Sequence, residues 1–261
     1  MAGTTRRPLA VTSLGASNIG AVKHEKIHPE RENWMSTLLC LDTSTERLLV
    51  GLRQIGSPDL DQWITLDAQG NHAAQLIPAI RDLLGDTVPI GLGVTLGPGS
   101  FTGLRIGLAT AKGLAEGWKI PLLGLDNLAA MAETRFALSS MTPQMALPAI
   151  DARKGKFYGA IYQRDKVLCP PMDLSPHDWI AKISSLKISS IEVTGVQGVQ
   201  LAALWTEVPF SLTTLNLADW TRALLHQTED GWAHQNFLSG DAGPRYLRQS
   251  EAEELLNERN S

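Results

Sequence analysis

The residues of this chain best placed to do chemistry are Gly97-Pro98-Gly99-Ser100-Phe101-Thr102-Gly103-Leu104-Arg105-Ile106-Gly107, continuing through Ala111-Lys112-Gly113-Leu114-Ala115. An apolar run from Ile90 to Thr95 enters a glycine-proline turn, and a helix rich in glycine and alanine leaves it. Such a passage exposes backbone N–H groups at the helix start, the framework of a phosphate cradle. The letters support only half of that reading. A dinucleotide fingerprint needs glycine where Thr102 stands, and a Walker loop needs a Lys-Ser/Thr pair that does not follow Gly103. The stretch therefore reads first as structural or docking. A second candidate, His24-Glu25-Lys26-Ile27-His28, matches the H-E-x-x-H pattern of zinc peptidases, which needs a helix to bring both imidazoles onto one face. Pro29 follows at once and no apolar helix surrounds the match, so it reads as chance. The serines offer little: Ser44 and Ser100 lack a G-x-S-x-G setting, and none of the 6 histidines is spaced as their base.

At 261 residues the chain has room for one large domain or two ordinary ones. A net charge of −4 and a pI near 5.9 leave no basic footprint for tight nucleic-acid binding. Cys40 and Cys169 sit in apolar surroundings without metal-ligand spacing and read as buried thiols of a cytoplasmic protein. No run of 18 apolar residues spans a membrane. Residues 1–34, rich in Ser, Thr and Gly, read as a disordered extension.

From Thr37 the pattern becomes regular. Strands are predicted at 38–42, 48–53 and 62–66, followed by a helix over 72–84 capped by Asn71 and disturbed by Pro78. Strand 90–95, helix 102–117, strand 121–125 and helix 127–138 complete a βββαβαβα set. The same order recurs: strands 145–150, 157–162 and 167–172, a helix from Ser175-Pro176 to Ile183, strand 191–194, helix 200–205, strand 210–212 and helix 218–227. Two copies imply a duplicated α/β architecture with mixed sheets and a cleft between two lobes, residues 35–140 and 141–248, before an acidic tail at 249–261.

This layout resembles the actin/Hsp70/hexokinase (ASKHA) superfamily, and the motifs narrow the resemblance. Leu39-Cys40-Leu41-Asp42-Thr43-Ser44-Thr45, the His72…Leu76…Pro78 helix, the Gly97–Gly107 run, Asp151-Ala152-Arg153-Lys154-Gly155 and Pro244-Arg245-Tyr246-Leu247-Arg248 together resemble the TsaB (YeaZ) family, in order from Met35 to Arg248. The resemblance implies a non-catalytic subunit that pairs with the threonylcarbamoyltransferase TsaD. With the ATPase TsaE, that pair makes threonylcarbamoyladenosine beside the tRNA anticodon. It also implies docking, or self-association as a homodimer, through first-lobe helices, no cofactor on this chain (ATP and metal belonging to the partners), and at most weak or indirect tRNA contact. Where the catalytic sister carries two metal-binding histidines, this chain holds Asn127 and Met131, which cannot replace imidazoles. Asn127 reads instead as a helix cap and Met131 as core.

The superfamily's phosphate hairpins follow the first strand of each lobe and need glycine for close backbone approach. Here Asp42-Thr43-Ser44-Thr45 lacks it and Asp151-Ala152-Arg153-Lys154-Gly155 sets cations in its place. Asp42, Ser44, Ser100, Thr102, Asp151 and Arg153 therefore read as a vestigial cleft. Asp42 and Asp151 would face each other across it and cap turns, and Arg153 and Lys154 would attract an anion or form a solvated loop. The positive signal is the stripe Gly103, Gly107, Ala111, Ala115. Each glycine costs roughly 0.5–1 kcal/mol relative to alanine in a helix, which close packing must recover. The partner could be the 72–84 helix or the sheet, leaving Leu76, Ile80, Leu104 and Leu108 as an outward docking surface; the alternative is that these are ordinary core. An independent ATPase or kinase-like enzyme of the same fold, and a peptidase, are the competing functional readings.

Overall fold

In a computed structural model the described residues are 36–137, 145–164, 166–205 and 210–247. The zinc-peptidase match, the N-terminal extension, the linker near Ser139, Arg248 and the acidic tail lie outside them. The first half runs β1 (Thr37–Asp42), β2 (Arg47–Gln54), β3 (Gln62–Asp67), α1 (His72–Leu84), β4 (Gly91–Thr95), α2 (Phe101–Trp118), β5 (Leu122–Leu125) and α3 (Asn127–Ala137). The second runs β6 (Ala146–Arg153), β7 (Lys156–Gln163), β8 (Lys166–Leu174), α4 (Pro176–Ser185), β9 (Ile191–Thr194), α5 (Gly198–Ala203), β10 (Phe210–Leu212) and α6 (Leu217–Ala233). The duplicated βββαβαβα order is thus present in full.

The two sheets share one topology, β3-β2-β1-β4-β5 and β8-β7-β6-β9-β10. Within each, the first strand pairs antiparallel with the second and parallel with the fourth. β1 (TLLCLD) is buried along its whole length, which is why it reads as an unbroken apolar run rather than an alternating one. One apolar cluster joins α1 and α2 to the outer face of the first sheet, a second holds α3 and α6 between the sheets, and a third fixes α4 and α5 to the second sheet. Among the described residues no helix is long and apolar enough to cross a membrane. Cys40 and Cys169 are buried free thiols.

The last helix joins the halves. α6 lies on the first sheet, where Gly51 and Gly93 leave room: a Cβ at Gly51 would strike Thr221 and Leu225, and one at Gly93 would strike Thr228. The polar segment after Gln227 suggests an end there, yet α6 continues to Ala233 because Thr228 is buried against that groove and Glu229 binds the sheet. Arg53 on β2, 4% exposed, makes two hydrogen bonds to Asp61 (2.8 and 2.6 Å) and one to Glu229 (3.1 Å).

Two caps differ from expectation. Asn71 makes no side-chain cap bond to α1. Asp126, not Asn127, caps α3 by accepting the Ala129 N–H at 3.0 Å, and Asn127 turns inward instead. β6 runs past Ile150 to Arg153, and Arg153, Lys154 and Gly155 turn the chain in left-handed conformations (φ 63, 53 and 72).

Candidate functional site

The start of α2 is held against the β1–β2 turn. Ser100 accepts the Gly103 N–H as the cap, and its own N–H donates to the Ser44 carbonyl at 2.6 Å. Thr43 Oγ1 donates to the Gly103 carbonyl at 2.7 Å. Cβ atoms at Gly103 or Gly107 would overlap Thr43, so the close partner of these two glycines is the β1–β2 turn. Ala111 and Ala115 continue the stripe into the core between α2 and the first sheet.

Asp42 is fully buried. Its Oδ1 accepts the Ser44 N–H (2.6 Å) and the Thr95 hydroxyl (2.9 Å), while Oδ2 has no partner. Burial pushes its carboxyl above the usual range, and the bonds from Ser44 and Thr95 and the field of His72 pull it partly back. Asp151 is exposed and its Oδ1 accepts the Arg153 N–H at 2.7 Å. Both aspartates therefore close turns as expected, but they do not face each other, because Asp42 is sealed inside. The Asn127 amide, 0% exposed, donates to Ser44 Oγ (2.8 Å) and the Pro98 carbonyl (2.6 Å), and Met131 is core. Among the described residues no cluster of three His, Cys, Asp or Glu side chains is arranged for a metal.

Between the halves lies a cleft of about 910 Å³. Ser44, Ser100, Thr102, Asp151 and Arg153 line it and Asp42 does not. The sequence reading missed His72, Phe101, Arg105, Gln197, Arg245 and Tyr246, which also line it. Gln197 ties its two sides, donating to both Glu46 oxygens (3.0 and 3.1 Å) and accepting the Asp151 N–H (3.0 Å). The C-terminal strap crosses its mouth. The Arg245 N–H donates to the Leu96 carbonyl at 2.7 Å beside Gly97 (φ 118), Tyr246 stacks on Phe101 (4.5 Å), and Arg105 donates to the Tyr246 hydroxyl (3.0 Å). A Cβ at Gly97 would approach the Arg245 carbonyl at 2.9 Å, and no other residue tolerates that positive φ.

The expected outward surface requires correction. Leu76, Ile80, Leu104 and Leu108 are 1%, 3%, 1% and 6% exposed and belong to the chain's own interior. Leu76, Ile80 and Leu108 pack in the cluster on the first sheet and Leu104 lies beside Gly97, so the opposite faces of α1 and α2 look outward. On α1 these are Ala73, Ala74, Ile77, Pro78 and Arg81; on α2 they are Ala109, Gly113 and Gly117. The second stripe repeats every four residues, like Gly103-Gly107-Ala111-Ala115, but two positions out of phase, which places it across the helix. Cβ atoms at Gly113 and Gly117 would meet nothing. That periodicity was present in the sequence; which stripe faced inward was not.

These features define a two-lobed, duplicated actin/Hsp70/hexokinase-like protein with a sealed first turn and a small-residue helix face that is open among the described residues. The family model described as TsaD: tRNA N6-adenosine threonylcarbamoyltransferase matches residues 66–214, more than half of the chain. The tRNA threonylcarbamoyladenosine biosynthesis protein TsaB of Haemophilus influenzae is 39% identical over 139 residues (50% of this chain, 56% of that protein). Its Escherichia coli namesake is 36% identical over 134 residues (49% and 56%). The chain thus spans about half the length of the curated relatives it matches. A solved structure of YeaZ from Pseudomonas aeruginosa, 27% identical, superposes with a TM-score of 0.65 over 82% of this chain and 100% of its own. The chain belongs to the TsaB/YeaZ branch of the threonylcarbamoyltransferase family.

Proposed function

We propose that this chain is a non-catalytic subunit that pairs with a catalytic homologue of the TsaD type in forming tRNA threonylcarbamoyladenosine, the product named for its relatives. The observation that carries the reading is the outward Ala109-Gly113-Gly117 stripe beside Ala74, Ile77 and Pro78. Cβ atoms at Gly113 and Gly117 would meet nothing among the described residues, and the propensity cost of Gly113 inside the helix is offset if another backbone comes close. Such a face fits a helix pair from a homologous subunit, or from a second copy when the partner is missing. The amide and thioether at Asn127 and Met131 support assigning metal and ATP chemistry to the partner subunits, with a TsaE-type ATPase completing the assembly in the cytoplasm. The test is reconstitution of tRNA modification from TsaD and TsaE with and without this chain, alongside Ile77→Glu, which places a charge on an exposed position of α1 (48% exposed). Product should require the chain, and Ile77→Glu should abolish both pairing and product while the monomer keeps its melting temperature. Full modification without the chain, or pairing unchanged by Ile77→Glu, refutes the proposal.

A further inference from the structure

We infer that residues 239–247 form a hinged lid, latched onto the start of α2, that opens about Gly240 and Gly243 and uncovers the mouth of the cleft while the body of the protein stays folded. The segment leaves that body at a firm anchor. Phe237 pairs with Leu123 at the edge of the first sheet, and the Leu238 N–H donates to the Leu122 carbonyl at 2.7 Å. Leu238 packs on the apolar cluster of the first sheet, where the absence of a side chain at Gly124 leaves it room. Beyond Leu238 the footing changes, because none of residues 239–247 is buried. A segment with so little buried apolar area opens locally at far lower cost than the core.

Two glycines mark the hinge. Cβ atoms at Gly240 and Gly243 would meet nothing, and neither residue holds a left-handed φ. Gly97 differs on both counts, since the Arg245 carbonyl crowds it and its φ is 118. At 240 and 243 glycine serves neither space nor turn geometry, and what it adds is backbone freedom between anchor and tip. The latch is a set of separate surface contacts. Lys112 Nζ donates to the Gly240 carbonyl at 2.8 Å, and the Arg245 N–H donates to the Leu96 carbonyl at 2.7 Å. The Tyr246 ring lies on Phe101, and Arg105 sits over the same Phe101 ring (3.8 Å) while donating to the Tyr246 hydroxyl. Lys112, Phe101 and Arg105 all belong to α2, so the lid closes on one rigid element. Arg245, Tyr246 and Leu247 line the cleft, and opening takes all three out of its wall.

Hydrogen exchange of the full chain, followed by NMR at the Arg245 amide, tests this without any partner protein, so its failure leaves the pairing proposal standing. That amide is bonded to Leu96 only while the lid is shut, and it should be protected, but less than the amides in the middle of α6. Tyr246→Ala removes the stacked ring and the hydroxyl and should lower the Arg245 protection factor about tenfold, with α6 exchange and melting temperature unchanged. Tyr246→Phe keeps the ring and should fall between. Gly240→Ala combined with Gly243→Ala stiffens the hinge and should raise the protection factor about fivefold. An Arg245 amide without protection marks a frayed tail and overturns the inference. Protection equal to that of α6, protection unchanged in Tyr246→Ala, or protection not raised by the paired glycine replacements overturns it equally.

Discussion

Gly113 separates what α2 needs as a helix from what it needs as a docking face. The residue is exposed, five positions from the helix end, and a Cβ added there meets nothing within 4 Å. Replacing an internal helix glycine with alanine reduces the backbone entropy lost on folding by about 0.5–1 kcal/mol. For a chain of this size that raises the melting temperature by about 1–4 °C. Gly113→Leu should leave the monomer equally folded for the same reason, since leucine also has open space. The partner responds in the opposite sense. If a homologous helix lies against the stripe, a leucine there pushes the two backbones apart and costs about 2 kcal/mol of pairing energy, roughly thirtyfold in Kd. Thermal denaturation of the isolated chain and calorimetric titration with a TsaD homologue read the two effects separately. A fall in melting temperature for Gly113→Ala would show that the position is not open. Pairing unaffected by Gly113→Leu would show that the partner does not sit on this stripe.

Two further perturbations test the scaffold. Arg53→Ala leaves Asp61, whose side chain is 1% exposed, buried without its bidentate partner; the loss should be about 3–5 kcal/mol in urea denaturation, and adding Asp61→Ala should recover part of it. If Arg53→Ala costs nothing, α6 is not anchored as described. Asp42→Asn keeps the Oδ1 acceptor for Ser44 and Thr95 while removing a buried charge. Because burial raises the folded carboxyl's pKa, its contribution to stability is fully present below the unfolded value of about 3.9 and is lost as pH rises through the folded value. The stability of Asp42→Asn relative to the natural chain should therefore be greatest at neutral pH and shrink as pH falls toward about 4; a difference independent of pH would contradict the burial argument.

The sequence by itself determined the duplicated βββαβαβα order, because buried strands such as Leu38–Asp42 and capped helices such as Ser175-Pro176 write their periods locally. It also marked Gly103 and Gly107 as points of close approach and Asp42 and Asp151 as turn formers. Tertiary structure decided direction. Leu76 and Leu104 and the outward Ile77 and Gly113 occupy the same two helices, and only the sheet beneath fixes which side is core. Asn127 has the composition of a cap, but its Nδ2 donates to Ser44 Oγ and the Pro98 carbonyl, which turns the side chain inward and leaves the cap to Asp126. The cleft was least legible, because His72, Arg105, Gln197 and Tyr246 come from four separate segments that meet only when the halves close. Spacing along a chain records which residues share a face of one element, whereas a face becomes core, cleft or docking surface only through what the rest of the chain sets against it.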